Sequence, residues 1–138
     1  VGDGQRSFIW PTRPWKWRST VPRELKIVTR RVPDRDDLRA AAADAGFAHS
    51  TVARIDGGVF DLIRDASDAP LLTVESTERI VVPGEIDRLA PAVGAVMLGP
   101  VFWTAAWSRA EGDTAERIAA HIAARCDGVV MRENGSLV

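Results

Sequence analysis

Apolar positions recur at two different periods along this chain, and their order predicts a mixed helix-and-strand domain. Helical spacing is clearest in residues 115–126, where apolar side chains recur every three or four positions. A shorter stripe of the same kind begins at Leu38, just after the helix-capping residue Asp34. Gly46 and Gly128 follow the two stripes and predict where the helices end. We therefore expect two principal helices.

Short apolar runs bounded by turn residues predict strands between and around these helices. Residues 24–32 form the first run, which Pro33 ends. Residues 50–55 and 58–64 flank Asp56-Gly57-Gly58, a pattern typical of a β-hairpin. The other predicted strands lie at residues 71–74 and 80–82, at two places within 92–107, and on both sides of Asn134-Gly135. Residues 83–91 are expected to form about two helical turns.

The order of these elements predicts an α+β fold. Most connections between strands are short, which favours a mostly antiparallel sheet, and the two main helices are expected to pack on one face of it. An elaborated ferredoxin-like sandwich is one form that such a fold can take. We assign residues 24–138 to a single α+β domain and residues 1–23 to an extended N-terminal arm.

Composition and charge refine this interpretation. The 138 residues are 46% hydrophobic and 27% charged, as in a soluble globular domain. The formal net charge of −1 combines a net +6 in residues 1–31 with a net −7 in residues 32–138. An excess of arginine over lysine and the lack of tyrosine suggest a bacterial protein, and no apolar stretch indicates a membrane span, so we expect a cytoplasmic one. One cysteine and no glycine-rich phosphate fingerprint predict neither a metal nor a cofactor.

The predicted arm contains the most unusual segment of the chain. Residues 1–23 contain three prolines and show neither the helical nor the strand period. The candidate partner-binding residues of the arm are Trp10, Arg13, Trp15, Lys16, Trp17 and Arg18. Residues 10–18 resemble Trp- and Pro-rich cationic antimicrobial peptides, and the resemblance is confined to these nine residues. We expect the tryptophans to pack on the acidic domain or on a partner subunit, with a membrane surface or nucleic acid as the alternative.

Two further tryptophans, Trp103 and Trp107, share one face of a predicted strand. We favour a place for them in the core, facing the alanine-rich helices. Alternatively, they form the floor of an apolar ligand pocket. In that case His49, Arg54 or Asp61 would supply the polar contacts.

No set of residues in this sequence forms a recognisable catalytic motif. We therefore expect a non-catalytic binding or protein-interaction domain that uses the arm for self-association as a homodimer or for docking to a protein partner. One alternative is a small-ligand-binding domain or small enzyme with a pocket near Trp103 and Trp107. The other is a domain that associates with a membrane surface or nucleic acid through the arm.

Overall fold

A six-stranded antiparallel sheet with the strand order β2-β3-β4-β5-β1-β6 organises the computed structural model, which describes residues 23–58, 60–82 and 84–138. The strands are β1 (Glu24–Thr29), β2 (Thr51–Ile55), β3 (Phe60–Arg64), β4 (Pro70–Ile80), β5 (Val101–Ser108) and β6 (Val129–Arg132). The predicted arm, apart from Arg23, lies outside the described residues.

The helices of this part of the chain are α1 (Arg35–Asp44), α2 (Glu85–Leu89), α3 (Pro91–Gly94) and α4 (Thr114–Arg125). Helices α1 and α4 pack against each other and on one face of the sheet, which confirms the predicted α+β fold. Elements β1, α1, β4, β5, α4 and β6 have the β-α-β-β-α-β order of a ferredoxin-like arrangement. The hairpin β2–β3 extends that arrangement at the edge next to β4.

Three of the predicted strand assignments are wrong. The segment after Asn134-Gly135 makes only a single antiparallel bridge, between Met131 and Leu137, and forms no strand of its own. Residues 71–74 and 80–82 do not form separate strands, because a register shift between Val74 and Thr77 lets one long strand, β4, continue along β5. Residues 92–107 contain one strand rather than two, since their first part forms α3 and a turn before β5 begins. Val96 and Leu98 are exposed while Val93 and Met97 are buried, and an apolar run of this kind has no period by which the sequence separates helix from strand.

The main core lies between the sheet and the helices α1 and α4. Its fully buried members include Ile27 of β1, Leu72 of β4 and Ile118 of α4. Alanines line the inner faces of both helices, at positions 41, 42, 115, 119 and 123. These short side chains let the helix axes approach the sheet closely.

A second, smaller core lies on the opposite face of the sheet and at one end only. There, Ile86 of α2 and Val93 of α3 pack with Met97, Val101 and Val28. In the residues that the structure describes, no other helix lies on this face. The described residues therefore leave this face uncovered at its other end, around the start of β3 and the end of β5.

A buried carboxylate connects the two main helices to the first strand. Asp37 of α1 is 2% exposed and accepts two hydrogen bonds from Arg31, which follows β1, at 2.6 and 2.8 Å. It accepts a third from Arg125, the last residue of α4, at 3.2 Å. Asp37 also forms a capping box with Asp34 at the start of α1. Hydrogen bonds from Arg31 hold the pKa of this carboxyl well below its usual range, so it stays ionised.

Gly128 is needed for a different reason from the one the sequence pattern indicates. The residue with left-handed backbone after α4 is Asp127, with a φ of 58°, and the N–H of Gly128 donates to the carbonyl of Ala123 at 2.9 Å. A Cβ atom at Gly128 would lie 2.0 Å from the carbonyl oxygen of Val28. Glycine is therefore required because α4 ends in close contact with the backbone of β1.

Replacing the buried carboxylate should destabilise the fold. We expect Asp37→Asn to lower the free energy of unfolding by about 2 kcal/mol, because charge-assisted hydrogen bonds from two arginines are lost. The half-exposed arginines can regain water, which limits the cost. Asp36→Asn is the matched control, since Asp36 is 86% exposed, and it should change stability by no more than about 0.5 kcal/mol. Urea denaturation measures both changes, and equal effects would contradict this role for Asp37.

The same carboxylate should make the protein sensitive to acid. Because the folded state lowers the pKa of Asp37, its stabilising contribution is fully present above the unfolded-state value of about 3.8. That contribution is lost progressively as the pH falls below this value towards the lower pKa of the folded state. Free energies of unfolding measured from neutral to strongly acidic pH should fall more steeply for the wild-type chain than for Asp37→Asn. If the free energies of unfolding fell equally steeply with pH for both proteins, a group other than Asp37 would be responsible for the acid sensitivity.

Candidate functional site

Strand β5 presents its two tryptophans to the face of the sheet opposite α1 and α4. Ala106 belongs to the core beneath the helices, and side chains alternate along a strand, so Trp103, Ala105 and Trp107 lie on the other face. The expected place of the tryptophans in the helix-facing core is therefore wrong. Trp103 packs against the second core, whereas Trp107 lies on the uncovered part of the face. The sequence shows which residues share a face but does not show which layer covers that face.

A groove of about 450 Å³ is built around Trp107 on this open face. Thr73 of β4 is directly opposite Trp107, and Phe60 of β3 is directly opposite Glu75 of β4. Together with Arg109, which follows β5, these residues line the groove. Cross-strand pairs on three neighbouring strands thus bring two aromatic rings, one carboxylate and one guanidinium to a single place.

Hydrogen bonds fix the polar groups of this groove. The indole N–H of Trp107 donates to the carboxylate of Glu75. The Nε–H of Arg109 donates to the hydroxyl of Thr73 at 2.9 Å, and Thr73 is 2% exposed. These contacts orient the side chains before any ligand arrives, which lowers the entropy cost of binding.

A second tryptophan on the same face already binds a cation. Nζ of Lys26 lies 5.8 Å from the ring centre of Trp103, within the range of a cation–π interaction. Glu24 forms a salt bridge with the same Lys26. An aromatic ring, a cation and a carboxylate therefore occur together at Trp103. The pair of Trp107 and Glu75 has the same kind of ring and carboxylate.

The three polar residues predicted to serve a tryptophan pocket do not line this groove. His49 is exposed in the turn between α1 and β2. Arg54 and Asp61 are cross-strand neighbours whose side chains are joined at 3.3 Å, and Arg35 of α1 lies 3.7 Å from Asp61. Arg54 and Asp61 line a smaller, adjoining cleft of about 70 Å³, which shares Phe60 and Glu75 with the groove.

Sequence reasoning missed the residues that surround Trp107. Phe60 lies in a segment that was correctly expected to form the second strand of a hairpin, so its position on a strand was predictable. Thr73 and Glu75 lie on a strand whose pairing with β5 joins positions about thirty residues apart. No local pattern in the sequence indicates that pairing, and the predicted break within β4 concealed it.

Other candidate chemistry is weak in the described part of the chain. Residues 23–58, 60–82 and 84–138 contain no group of three or more His, Cys, Asp or Glu side chains placed to hold a metal ion. No hydrogen bond joins a serine or the cysteine to a histidine in these segments. No helix within them has the length and apolar character needed to cross a membrane.

Cys126 should be unreactive in the folded protein. It is 1% exposed, and burial, reinforced by the nearby Asp37 carboxylate, raises the pKa of its thiol to about 11. The thiolate fraction at about pH 8 is then roughly a hundredfold lower than for a free cysteine. We expect a thiol reagent to label the unfolded chain within minutes and the native chain far more slowly. Complete labelling of the native protein at the unfolded rate would contradict this environment for Cys126.

Comparisons with known proteins assign no family to this fold or this site. The chain matches no protein-family model, and neither curated proteins nor solved structures give a significant match. No residue role can therefore be transferred from a relative. The function must be argued from the geometry of the groove and its surroundings.

Proposed function

We propose that this protein is a non-catalytic protein-interaction domain that binds a cationic segment containing aromatic residues on the open face of its sheet. The observation that supports the proposal is the Trp107–Glu75 pair, which lies in an uncovered groove with Phe60. The Lys26–Trp103–Glu24 arrangement on the same face supports a cation as the group that such a pair would bind.

The groove offers complementary contacts to a lysine or arginine side chain. A cation over the ring of Trp107 interacts favourably with its π electrons, by about 0.5 to 2 kcal/mol depending on exposure. The Glu75 carboxylate at the edge of that ring adds a charge-assisted hydrogen bond. The guanidinium of Arg109 supplies donors for a backbone carbonyl of the bound segment. Phe60 provides an apolar surface for a neighbouring aromatic side chain.

The shape of the site favours an extended peptide over an enclosed substrate. The groove lies on the surface of a sheet, and none of its lining residues is a histidine or a cysteine. Alternate side chains of an extended segment can enter such a groove while the others remain in water. A small ligand remains the second candidate because about 450 Å³ is within the range of known ligand pockets.

The binding test uses the peptide Trp-Pro-Thr-Arg-Pro-Trp-Lys-Trp-Arg, which has the sequence of residues 10–18, and the isotope-labelled full chain carrying Trp10→Ala/Trp15→Ala/Trp17→Ala, so that these residues of the chain do not compete with the peptide. Titration followed by NMR should shift the backbone signals of Phe60, Thr73, Glu75 and Trp107. Trp107→Ala should weaken binding by about tenfold or more, and Glu75→Gln by about fivefold, because each removes one contact to the cation.

Asp44→Asn is the matched control, since it removes the same charge from an exposed residue at the end of α1, which packs on the opposite face of the sheet. It should alter the Kd less than twofold, as expected for a distant charge screened by salt. If the peptide shifts no signals on the open face at any concentration, or if all three variants weaken binding equally, the proposed function is wrong.

A further inference from the structure

We propose that residues 10–18 of the same chain occupy the groove at Trp107, so that the protein covers its own binding face until a stronger ligand displaces them. This inference rests on the proposed function and names the resident partner of that site. It assigns a binding surface to the Trp-rich segment, which itself lies outside the described residues.

The place where the N-terminal segment joins the sheet lies next to the groove. The carbonyl of Arg23 accepts a hydrogen bond from the N–H of Ser108 at 2.8 Å, and Ser108 follows Trp107 directly. Glu24, the next residue, is paired with Trp107 itself. Residue 18 is five positions before Arg23, a stretch that can span at most about 16 to 18 Å when extended. The segment is therefore long enough to turn back across the groove.

The chemistry of the segment complements the Trp107–Glu75 pair of the groove. Residues 1–22 contain four basic side chains and a single acidic one, Asp3, whereas residues 23–138 contain 14 basic and 18 acidic side chains. Lys16 and Arg18 alternate with Trp15 and Trp17, so the segment carries a cation next to a large ring. Trp107 and Glu75 offer the site for that cation, and Phe60 the surface for that ring.

Attachment to the same chain gives this segment an advantage over any free peptide. A tethered ligand acts at an effective concentration on the order of 1 mM. A free peptide with an intrinsic Kd of about 10 μM would then have to compete with it, and its apparent Kd would rise by about a hundredfold. The open face would be available only to partners that bind more strongly or that bind the arm itself.

The first experiment compares the full chain with the full-chain variant Trp10→Ala/Trp15→Ala/Trp17→Ala. Both are titrated with the same nine-residue peptide, and binding is followed by the NMR signals of the groove. We expect the variant to bind the peptide at least tenfold more tightly, because its own segment no longer competes. Equal affinity for the two chains would overturn the inference while leaving the proposed function intact. A peptide that binds neither chain would instead overturn the proposed function.

The second experiment tests whether the segment acts within its own chain. Ser7→Cys in the full chain is labelled with a nitroxide, because residue 7 is 16 positions from Arg23 and its attachment to the sheet does not by itself hold the label at the groove. The buried Cys126 is expected to remain unlabelled. The spin label should broaden the NMR signals of Phe60, Thr73 and Trp107 more strongly than the same label does in Trp10→Ala/Trp15→Ala/Trp17→Ala, and reduction of the nitroxide should restore them. Equal broadening in the two chains would overturn the inference. A mixture of spin-labelled chain without isotope and isotope-labelled chain without nitroxide should show no broadening. Broadening in that mixture would show that the segment binds a second copy of the chain. Broadening confined to other surfaces would show that the segment does not bind the groove. Either result would overturn the inference.

Discussion

The ionised side chain of Asp37 holds together the three elements on which the rest of the structure depends. It lies at the start of α1, and it is bound by Arg31, which follows β1, and by Arg125, which ends α4. A carboxylate in this position costs desolvation energy unless its oxygens are fully hydrogen-bonded, and the two arginines and the capping box supply those bonds. This contact therefore connects the start of α1 and the end of α4 to the end of β1, in addition to the apolar core that both helices share with the sheet.

The placement of both main helices on one face determines where a ligand can bind. Each strand of the sheet has apolar or aromatic residues on its second face, but within residues 23–138 as the structure describes them only the end near Val28 and Val101 is covered, by α2, α3 and Met97. The other end presents Trp107, Phe60 and Glu75 in a groove. Strand β5 illustrates the division, because Ala106 packs beneath the helices while Trp107, its immediate neighbour, faces outward. The same strand thus contributes side chains to the core on one face and to the binding groove on the other.

Local sequence patterns predict the secondary structure correctly wherever it depends on a single element or a single turn. The periodic stripe of α4, the capping residues of α1 and the hairpin at Asp56-Gly57-Gly58 all lie where the sequence predicts them. The pattern gave a wrong prediction at α3, where the apolar run has no clear period. It also gave a wrong prediction within β4, where a bulge interrupts the alternation of apolar and polar residues. In both places, the residues that contact the chain from another strand or helix decide the local structure.

By itself, the sequence determined the α+β class, the two alanine-faced helices and the common face of Trp103 and Trp107. It also determined the separation of a basic, Trp-rich beginning from an acidic remainder, because composition and short-range period are properties of the chain alone. The tertiary structure decided that the tryptophans face away from the main helices and that Thr73 and Glu75 stand beside Trp107. These relations depend on strand pairings between residues far apart in the chain and on which face the helices cover. Both are set by the packing of the whole domain rather than by any local segment.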